Sequence, residues 1–238
     1  LFDIPQFKVA FKNTIVINLL KLVFAFPIPI VLAVMINSIR SPYIKRPVQT
    51  ILYLPHFVSW VIVAGILFSL LDEDGVVYRV LEIFGVEKFD ILADGGGFLT
   101  ILVLSDIWKE AGWGAIIYLA ALTSISGEYY EAAKVAGAPD FRMLVSITLP
   151  LLMPTISVML ILRVGGLVSG GFGQIYNLYN EQVYDVADVL DTFSYRFGIG
   201  EGYFEMGTAV GLIANVINIF LLIIANWLIK IMGGEPLY

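Results

Sequence analysis

The sequence contains no cysteine among its 238 residues and a single histidine, His56. Without thiols neither a disulfide framework nor a thiolate metal site can form, and one imidazole cannot build a histidine cluster. The glycine-rich nucleotide-binding patterns and the HExxH zinc pattern are also missing. We therefore expect no catalytic residues, no metal site and no cofactor held by this chain.

Charged residues are scarce as well. They make up 14% of the sequence, whereas 59% is hydrophobic and the mean hydropathy is +0.88. Soluble domains carry about 25% charged residues, so this chain has too few to cover a water-facing surface. Runs of about 20 apolar residues suit helices that cross a bilayer. The sequence therefore predicts an all-α polytopic membrane protein without a substantial soluble domain.

Five membrane spans are predicted, and they place a transmembrane domain at residues 13–231. Their approximate bounds are Asn13–Asn37, Ile51–Leu71, Phe98–Leu122, Leu149–Val168 and Met206–Ile231. Prolines inside the spans, such as Pro27 and Pro55, indicate kinks that neighbouring groups can satisfy.

The charges between the spans suggest an orientation. The link Arg40–Arg46 is basic and holds no acid, which is typical of a cytoplasmic loop. The links 72–94 and 171–204 are acidic, and the second is predicted to be an external loop. Five spans with the C-terminus inside would place the N-terminus outside, so we expect a preceding transmembrane helix that this sequence does not include.

The segment 126–148, between the third and fourth spans, is amphipathic and reads EYYEAAKVAGAPDFR from Glu128 to Arg142. It predicts two short helices with a turn at Gly137 and with Pro139 in the first turn of the second helix. Small side chains here would let another protein approach the backbone closely. By composition alone, an interfacial helical hairpin explains the segment equally well.

The pattern EAAxxxGA at residues 131–138, followed by Ile147-x-Leu149-Pro150 and Pro154, resembles the EAA loop of ABC-type, binding-protein-dependent importer permeases. The resemblance implies the type I importer permease fold and a cytoplasmic loop that docks on an ATPase and transmits its closure. In one departure, Ala136 stands where the family often has an acid, which concerns a secondary ionic contact. The coupling residues implied by the resemblance are Glu128, Glu131, Ala132, Ala133, Gly137, Ala138 and Arg142.

The segments ILRVG at 161–165, GFGQIY at 171–176 and ADVLDT at 187–192 are similar to the polysaccharide branch of this family. That similarity implies ATP-driven import of a sugar or oligosaccharide through a multi-pass protein of the bacterial cell membrane. The implied partners are a second, related permease, two ATPase subunits that bind ATP and Mg, and an external solute-binding protein. No nucleic-acid partner is expected.

Asp106, Lys109, Glu110 and Trp113 share one face of the third span. Ionisable groups at membrane depth usually face a protein interior or a watery cavity, so this face is a candidate wall of the substrate path. The alternative is an intrahelical Asp106–Lys109 pair with Glu110 satisfied by a neighbouring helix. Arg163, on the fourth span, would reach either a carboxylate of a partner subunit or an acidic sugar.

Aromatic rings and amides mix at the outer end of the fourth span, around Gln174, Tyr176 and Asn177. Such a mixture suits sugar binding, but Tyr and Phe also collect in interfacial belts. Asn215 on the fifth span would either face the path or form hydrogen bonds between helices. His56 is interpreted as a hydrogen-bonded structural residue. The candidate path residues are Asp106, Lys109, Trp113, Arg163, Gln174, Tyr176, Asn177 and Asn215.

Three other functions stay open at this point. The first is an importer permease for peptides or amino acids. The second is a secondary transporter with a proton relay through Asp106, Glu110 and His56, although no inverted repeat is evident. The third is a membrane-embedded enzyme, for which Asp188 and Asp191 are the nearest approach to a carboxylate pair.

Overall fold

The computed structural model describes residues 1, 3–72, 74–85, 90–231 and 236, and every regular element in this part of the chain is a helix. In chain order the helices are α1 (Pro5–Phe24), α2 (Pro27–Ser38), α3 (Pro42–Tyr53), α4 (Trp60–Leu71), α5 (Val76–Ile83), α6 (Gly95–Thr123), α7 (Gly127–Val135), α8 (Asp140–Met143), α9 (Leu149–Gly165), α10 (Phe172–Leu178), α11 (Tyr184–Ala187), α12 (Leu190–Tyr195) and α13 (Phe204–Ile231). Short 3₁₀ segments cover Leu54–Phe57 and Glu181–Val183, and π-helical segments cover Leu144–Thr148 and Arg196–Gly200.

Four of the five predicted spans are present as long helical stretches. The first comprises α1 and α2, which together cover Pro5–Ser38, so it begins at Pro5 rather than at Asn13. The third is α6, whose 29 residues include the three charged side chains noted in the sequence. The fourth and fifth end at Gly165 and Ile231. The all-α membrane fold is therefore confirmed.

The predicted second span, Ile51–Leu71, is not one helix. The chain turns by 99° between the stretch ending at Phe57 and the one beginning at Trp60. Pro55 has no amide hydrogen for an α-helical bond, so the chain narrows to a 3₁₀ turn there. Ser59 then caps α4 by accepting a hydrogen bond from the Ile62 amide at 3.4 Å. The expectation of a single kinked helix was wrong because the proline and the cap together break it.

The loop 126–148 follows the predicted helix–turn–helix, with one difference. Ser126 caps α7, and Gly137 has φ +75°, a left-handed conformation that glycine adopts without a Cβ clash. Pro139 is the N-cap of α8 and not part of its first turn. The second helix is also not short, because α8, the π-helical segment and α9 form one stretch from Asp140 to Gly165.

The region between α9 and α13 folds into short helices that pack on the long ones. Ile175 and Leu178 of α10 are buried in one apolar cluster with Phe98 and Leu102 of α6. A second cluster joins Phe193 of α12 to α1 and α13. In the acidic link predicted at 72–94, Glu73 and residues 86–89 lie outside the described residues.

Candidate functional site

A cavity of about 550 Å³ lies among α1, α2, α4, α6, α9 and α10. Its wall combines charged groups with aromatic rings. The charged and aromatic side chains that line it include Lys21, Asp106, Glu110, Arg163, Trp60, Trp113 and Tyr118. Because ionisable groups at membrane depth face protein or water, this cavity is the candidate path.

One wall of the cavity is a fixed polar network centred on Lys21. Its ammonium donates to a carboxylate oxygen of Asp106 at 3.0 Å and to the side-chain oxygen of Gln174 at 2.5 Å. The Gln174 amide donates in turn to the Leu102 carbonyl at 2.7 Å and to the Ser105 hydroxyl at 2.8 Å. Lys21 and Gln174 are buried, so this network joins α1, α6 and α10.

A second network holds the 99° turn against α6. The Lys109 ammonium donates to the His56 carbonyl at 2.5 Å, and the His56 ring nitrogen Nδ1 lies 2.8 Å from the Glu110 carboxylate. The His56 ring also stacks on Trp113, with ring centroids 4.5 Å apart and planes 3° apart. This geometry agrees with the interpretation of His56 as a hydrogen-bonded structural residue.

The alternative of an intrahelical Asp106–Lys109 pair was wrong. Asp106 pairs with Lys21, whereas Lys109 lies 3.5 Å from Glu110 and binds the turn. Asp106 therefore binds Lys21 of α1, and Lys109 binds the His56 carbonyl of the turn, in place of the pairing between Asp106 and Lys109 along α6.

Arg163 contacts Asp106 only loosely. Its guanidinium lies 3.8 Å from the second carboxylate oxygen of Asp106, and 43% of the Arg163 side chain is exposed. The carboxylate that Arg163 reaches within this chain is thus Asp106, which the sequence did not predict. The two predicted partners, a carboxylate of a partner subunit and an acidic sugar, stay predictions.

The structure brings together only part of the predicted path. Asp106, Trp113, Arg163 and Gln174 line the cavity. Lys109 lies behind the wall, and Asn215 is exposed on α13. Sequence reasoning missed Lys21, Trp60 and the full role of Glu110 as lining residues. Lys21 could have been predicted, because a lysine inside an apolar span needs a partner and usually faces the protein interior or a cavity.

Tyr176 and Asn177 lie on the part of α10 that does not line the cavity. The Tyr176 ring packs 4.9 Å from Phe172 and 5.0 Å from Tyr195, centroid to centroid, and remains half exposed. The Asn177 amide is used within its own helix, where it donates to the Gly173 carbonyl at 2.6 Å. The predicted aromatic–amide cluster is thus divided between the cavity, for Gln174, and an outer aromatic surface.

The two acids considered for an enzyme have structural partners instead. Asp188 binds the Arg196 guanidinium at 2.5 Å and accepts from the Thr192 hydroxyl at 2.8 Å. Asp191 accepts from the Gly170 amide at 2.8 Å. Burial raises the pKa of both carboxyls, and these hydrogen bonds oppose the shift. The two side chains therefore stabilise the fold of the segment 171–204.

The loop 126–148 presents its charges and apolar side chains to solvent. Glu128, Glu131 and Arg142 are exposed, and none of them forms an ion pair within the described part of the chain. Val135 is 91% exposed and Phe141 is 76% exposed. Sequence reasoning did not single out these two apolar residues, which make the loop suitable for docking another protein.

The loop is nevertheless fixed to the membrane helices. The Tyr130 hydroxyl lies 3.0 Å from the Thr148 hydroxyl, which joins α7 to the π-helical segment before α9. A partner that moves α7 would therefore act on α9 through this hydrogen bond as well as through the turn at Gly137.

Residues 25–233 match the family model described as "Binding-protein-dependent transport system inner membrane component". The chain belongs to this family. The matched range covers the loop 126–148 and most of the cavity lining, but not Asn18 and Lys21. The family membership predicted from the EAA-like pattern is therefore confirmed. The chain is accordingly a membrane-spanning transport subunit and not an enzyme.

Two relatives from Bacillus subtilis (strain 168) align over almost the whole chain. The polygalacturonan/rhamnogalacturonan transport system permease protein YteP is 41% identical, covering 100% of this chain and 74% of the relative. Protein LplB is 42% identical, covering 98% of this chain and 74% of the relative.

Two solved structures also share the fold. A chain of a bacterial alginate ABC transporter, in complex with an alginate pentasaccharide-bound periplasmic protein, superposes with a TM-score of 0.95 at 40% identity, covering 100% of this chain and 83% of that one. A chain of a bacterial ABC transporter involved in alginate import gives 0.92 at 41% identity, covering 96% and 80%. The predicted type I importer permease fold is thereby confirmed.

Proposed function

We propose that this chain is the permease subunit of an ATP-driven importer that carries oligosaccharides through the cavity beside α6. The observation that carries this proposal is the continuity between cavity and loop. Arg163 on the cavity wall and Phe141 on the exposed loop belong to the same helical stretch, Asp140–Gly165. One element therefore joins the docking surface to the path.

The lining of the cavity supports a sugar as the cargo. Trp60 and Trp113 present indole rings to a space of about 550 Å³ that also holds four charged side chains. Indole faces suit the apolar faces of sugar rings, and charged groups suit hydroxyls. The relative named for polygalacturonan and the structures named for alginate point to the same class of cargo.

The partners follow from the family and from the exposed loop. We propose a second, related permease, two cytoplasmic ATPase subunits that bind ATP and Mg, and an external solute-binding protein, with no cofactor on this chain. Glu131 would pair with a cation of the ATPase. Val135 and Phe141 would be covered by its surface. The coupling set proposed for this contact is Glu128, Glu131, Ala132, Ala133, Gly137, Ala138 and Arg142.

The mechanism that fits this arrangement is alternating access. ATP closes the ATPase pair, the loop 126–148 moves with it, and α9 moves because Asp140–Gly165 is one stretch. The cavity then opens toward the solute-binding protein. ATP hydrolysis and reopening of the ATPase pair would return the cavity to the cytoplasmic side.

The test is uptake of a labelled oligosaccharide by proteoliposomes that contain the complete transporter and its binding protein. We expect uptake to require ATP, and Trp113→Ala to lower it about tenfold, which is 1.4 kcal/mol at the stacking site. Trp108→Ala is the matched control, because Trp108 lies on the same helix, is 52% exposed and is absent from the lining. Uptake driven by a proton gradient without ATP would overturn the proposal in favour of a secondary transporter.

A further inference from the structure

The charges around the cavity do not balance. Among the described residues, the groups that line it or pair with its lining are Lys21, Asp106, Lys109, Glu110 and Arg163, together with the ring of His56. Apart from the His56 ring, three cations face two carboxylates. One positive charge is left without a carboxylate of its own.

That surplus charge belongs to Arg163. Asp106 has Lys21 at 3.0 Å, and Glu110 has Lys109 at 3.5 Å. Both lysines are buried, and each holds a second oxygen at 2.5 Å, from Gln174 and from the His56 carbonyl respectively. Neither lysine can turn toward a ligand without giving up two partners. Arg163, at 3.8 Å from Asp106, would give up one long contact.

The guanidinium also has room to receive a ligand. The side chain of Arg163 is 43% exposed. Gly166 and Gly170 lie on the same cavity wall and carry no side chain, and a Cβ built on Gly170 would meet no atom within 4 Å. A carboxylate can approach the planar guanidinium through two parallel hydrogen bonds, which an ammonium group cannot offer.

An uncompensated cation within a bundle of membrane-spanning helices is costly unless an anion or water accompanies it. We propose that Arg163 recognises a carboxylate of the cargo, and that the cavity therefore selects oligosaccharides that contain uronic acids over neutral ones of equal length. This inference rests on the function proposed above, because it assumes that the cavity is the path. Beyond the proposed function, it specifies that the cargo is negatively charged and that Arg163 binds this charge.

The test measures binding directly on the purified permease–ATPase complex, without the solute-binding protein. The probes are tetragalacturonate, tetramannuronate and their fully methyl-esterified forms, which keep the sugar chain and remove the charge. We expect at least one acid to bind about tenfold more tightly than its ester, a difference of about 1.4 kcal/mol. Arg163→Gln should abolish that preference, and Arg163→Lys should keep part of it. Lys12→Gln removes an exposed cation outside the cavity and should change nothing.

Several results would overturn the inference. They are equal binding of acid and ester by the unmodified complex, binding of neither, or equal weakening of both by Arg163→Gln. Loss of subunit assembly in Arg163→Gln would also overturn it, since the cation would then serve contacts between subunits. ATP-driven uptake on the same preparation separates the two proposals. Uptake of neutral oligosaccharides without an acid preference removes this inference alone, whereas no ATP-driven uptake of any oligosaccharide removes the proposed function.

Discussion

The cavity and the coupling loop are both rich in charge, but they use it in opposite ways. In the cavity each carboxylate already has a lysine of the same chain within 3.5 Å. In the loop, Glu128, Glu131 and Arg142 point into solvent and form no ion pair within the described residues. Unpaired charge is costly among membrane-spanning helices, and the chain pairs both carboxylates of the cavity with its own lysines. The loop stays in water, where exposed charge costs little and remains available to another protein.

The largest effect is expected when one member of an ion pair in the cavity is removed. Asp106→Asn leaves the buried Lys21 ammonium without its carboxylate, and loss of one member of a buried pair costs about 3–5 kcal/mol. We expect a matching fall in the free energy of unfolding, measured by denaturant-induced unfolding of the detergent-solubilised chain. The double variant Asp106→Asn with Lys21→Met should recover much of the loss. If Asp106→Asn is as stable as the original chain, the cavity charges are not held as described.

In the loop, by contrast, we expect loss of a charge to change the stability of the chain little and to weaken docking of the ATPase. Glu131→Ala should leave the stability of the isolated chain within about 0.5 kcal/mol, as is usual for surface positions. It should weaken ATPase docking by about 2–5 kcal/mol if it leaves a cation of the ATPase buried and unpaired. Affinity is measured by titrating ATPase onto the membrane-inserted chain. Glu201→Ala, which removes an exposed acid of the segment 171–204, is the control. Unchanged docking would mean that Glu131 carries no coupling contact.

Sequence reasoning predicted local features better than those that depend on tertiary contacts. Gly137 was recognised as a turn because glycine and the following proline are local signals, and its φ of +75° agrees. The spacing on α6 correctly placed Asp106 and Trp113 toward the cavity. The partners Lys21 and Arg163 come from other helices, and no periodicity along α6 could identify them.

The break at Pro55 shows a different limit. Proline kinks and proline breaks look alike in a sequence, because the distinction depends on what holds the displaced backbone. Here Lys109 binds the freed His56 carbonyl, and that hydrogen bond is a property of the folded chain.

A smaller effect is expected at the turn between α7 and α8. Gly137→Ala places a Cβ on a left-handed residue, which costs about 1–2 kcal/mol. No atom lies within 4 Å of that position, so the cost is conformational and not steric. We expect ATP-driven uptake to fall several-fold while the membrane helices stay folded, as measured by helical circular dichroism. Gly127→Ala also meets open space but has no positive φ, and should be neutral. Equal effects at both glycines would contradict this account.

The smallest effect is expected at the outer aromatic surface. Tyr176→Ala removes a half-exposed ring that packs on Phe172 and Tyr195. If that surface receives the sugar before the cavity does, uptake should fall about two- to tenfold, as for the loss of one aromatic contact. Asn177→Ala should leave uptake unchanged, because its amide is engaged within its own helix. Initial uptake rates at low sugar concentration measure both variants. If uptake falls more in Asn177→Ala than in Tyr176→Ala, the sugar contact would belong to Asn177 and not to the Tyr176 ring.

The unbroken stretch from Asp140 to Gly165 has a mechanical consequence for ligand affinity. At 1.5 Å per residue, its 26 residues extend about 39 Å, the thickness of a membrane. Phe141 is near one end and Arg163 is near the other, so rotation of the whole stretch about its axis turns both side chains through the same angle. In the proposed mechanism, such a rotation would change the distance between Arg163 and Asp106 in step with the nucleotide state of the ATPase. The orientation of a single helix would then determine when the cargo is bound and when it is released.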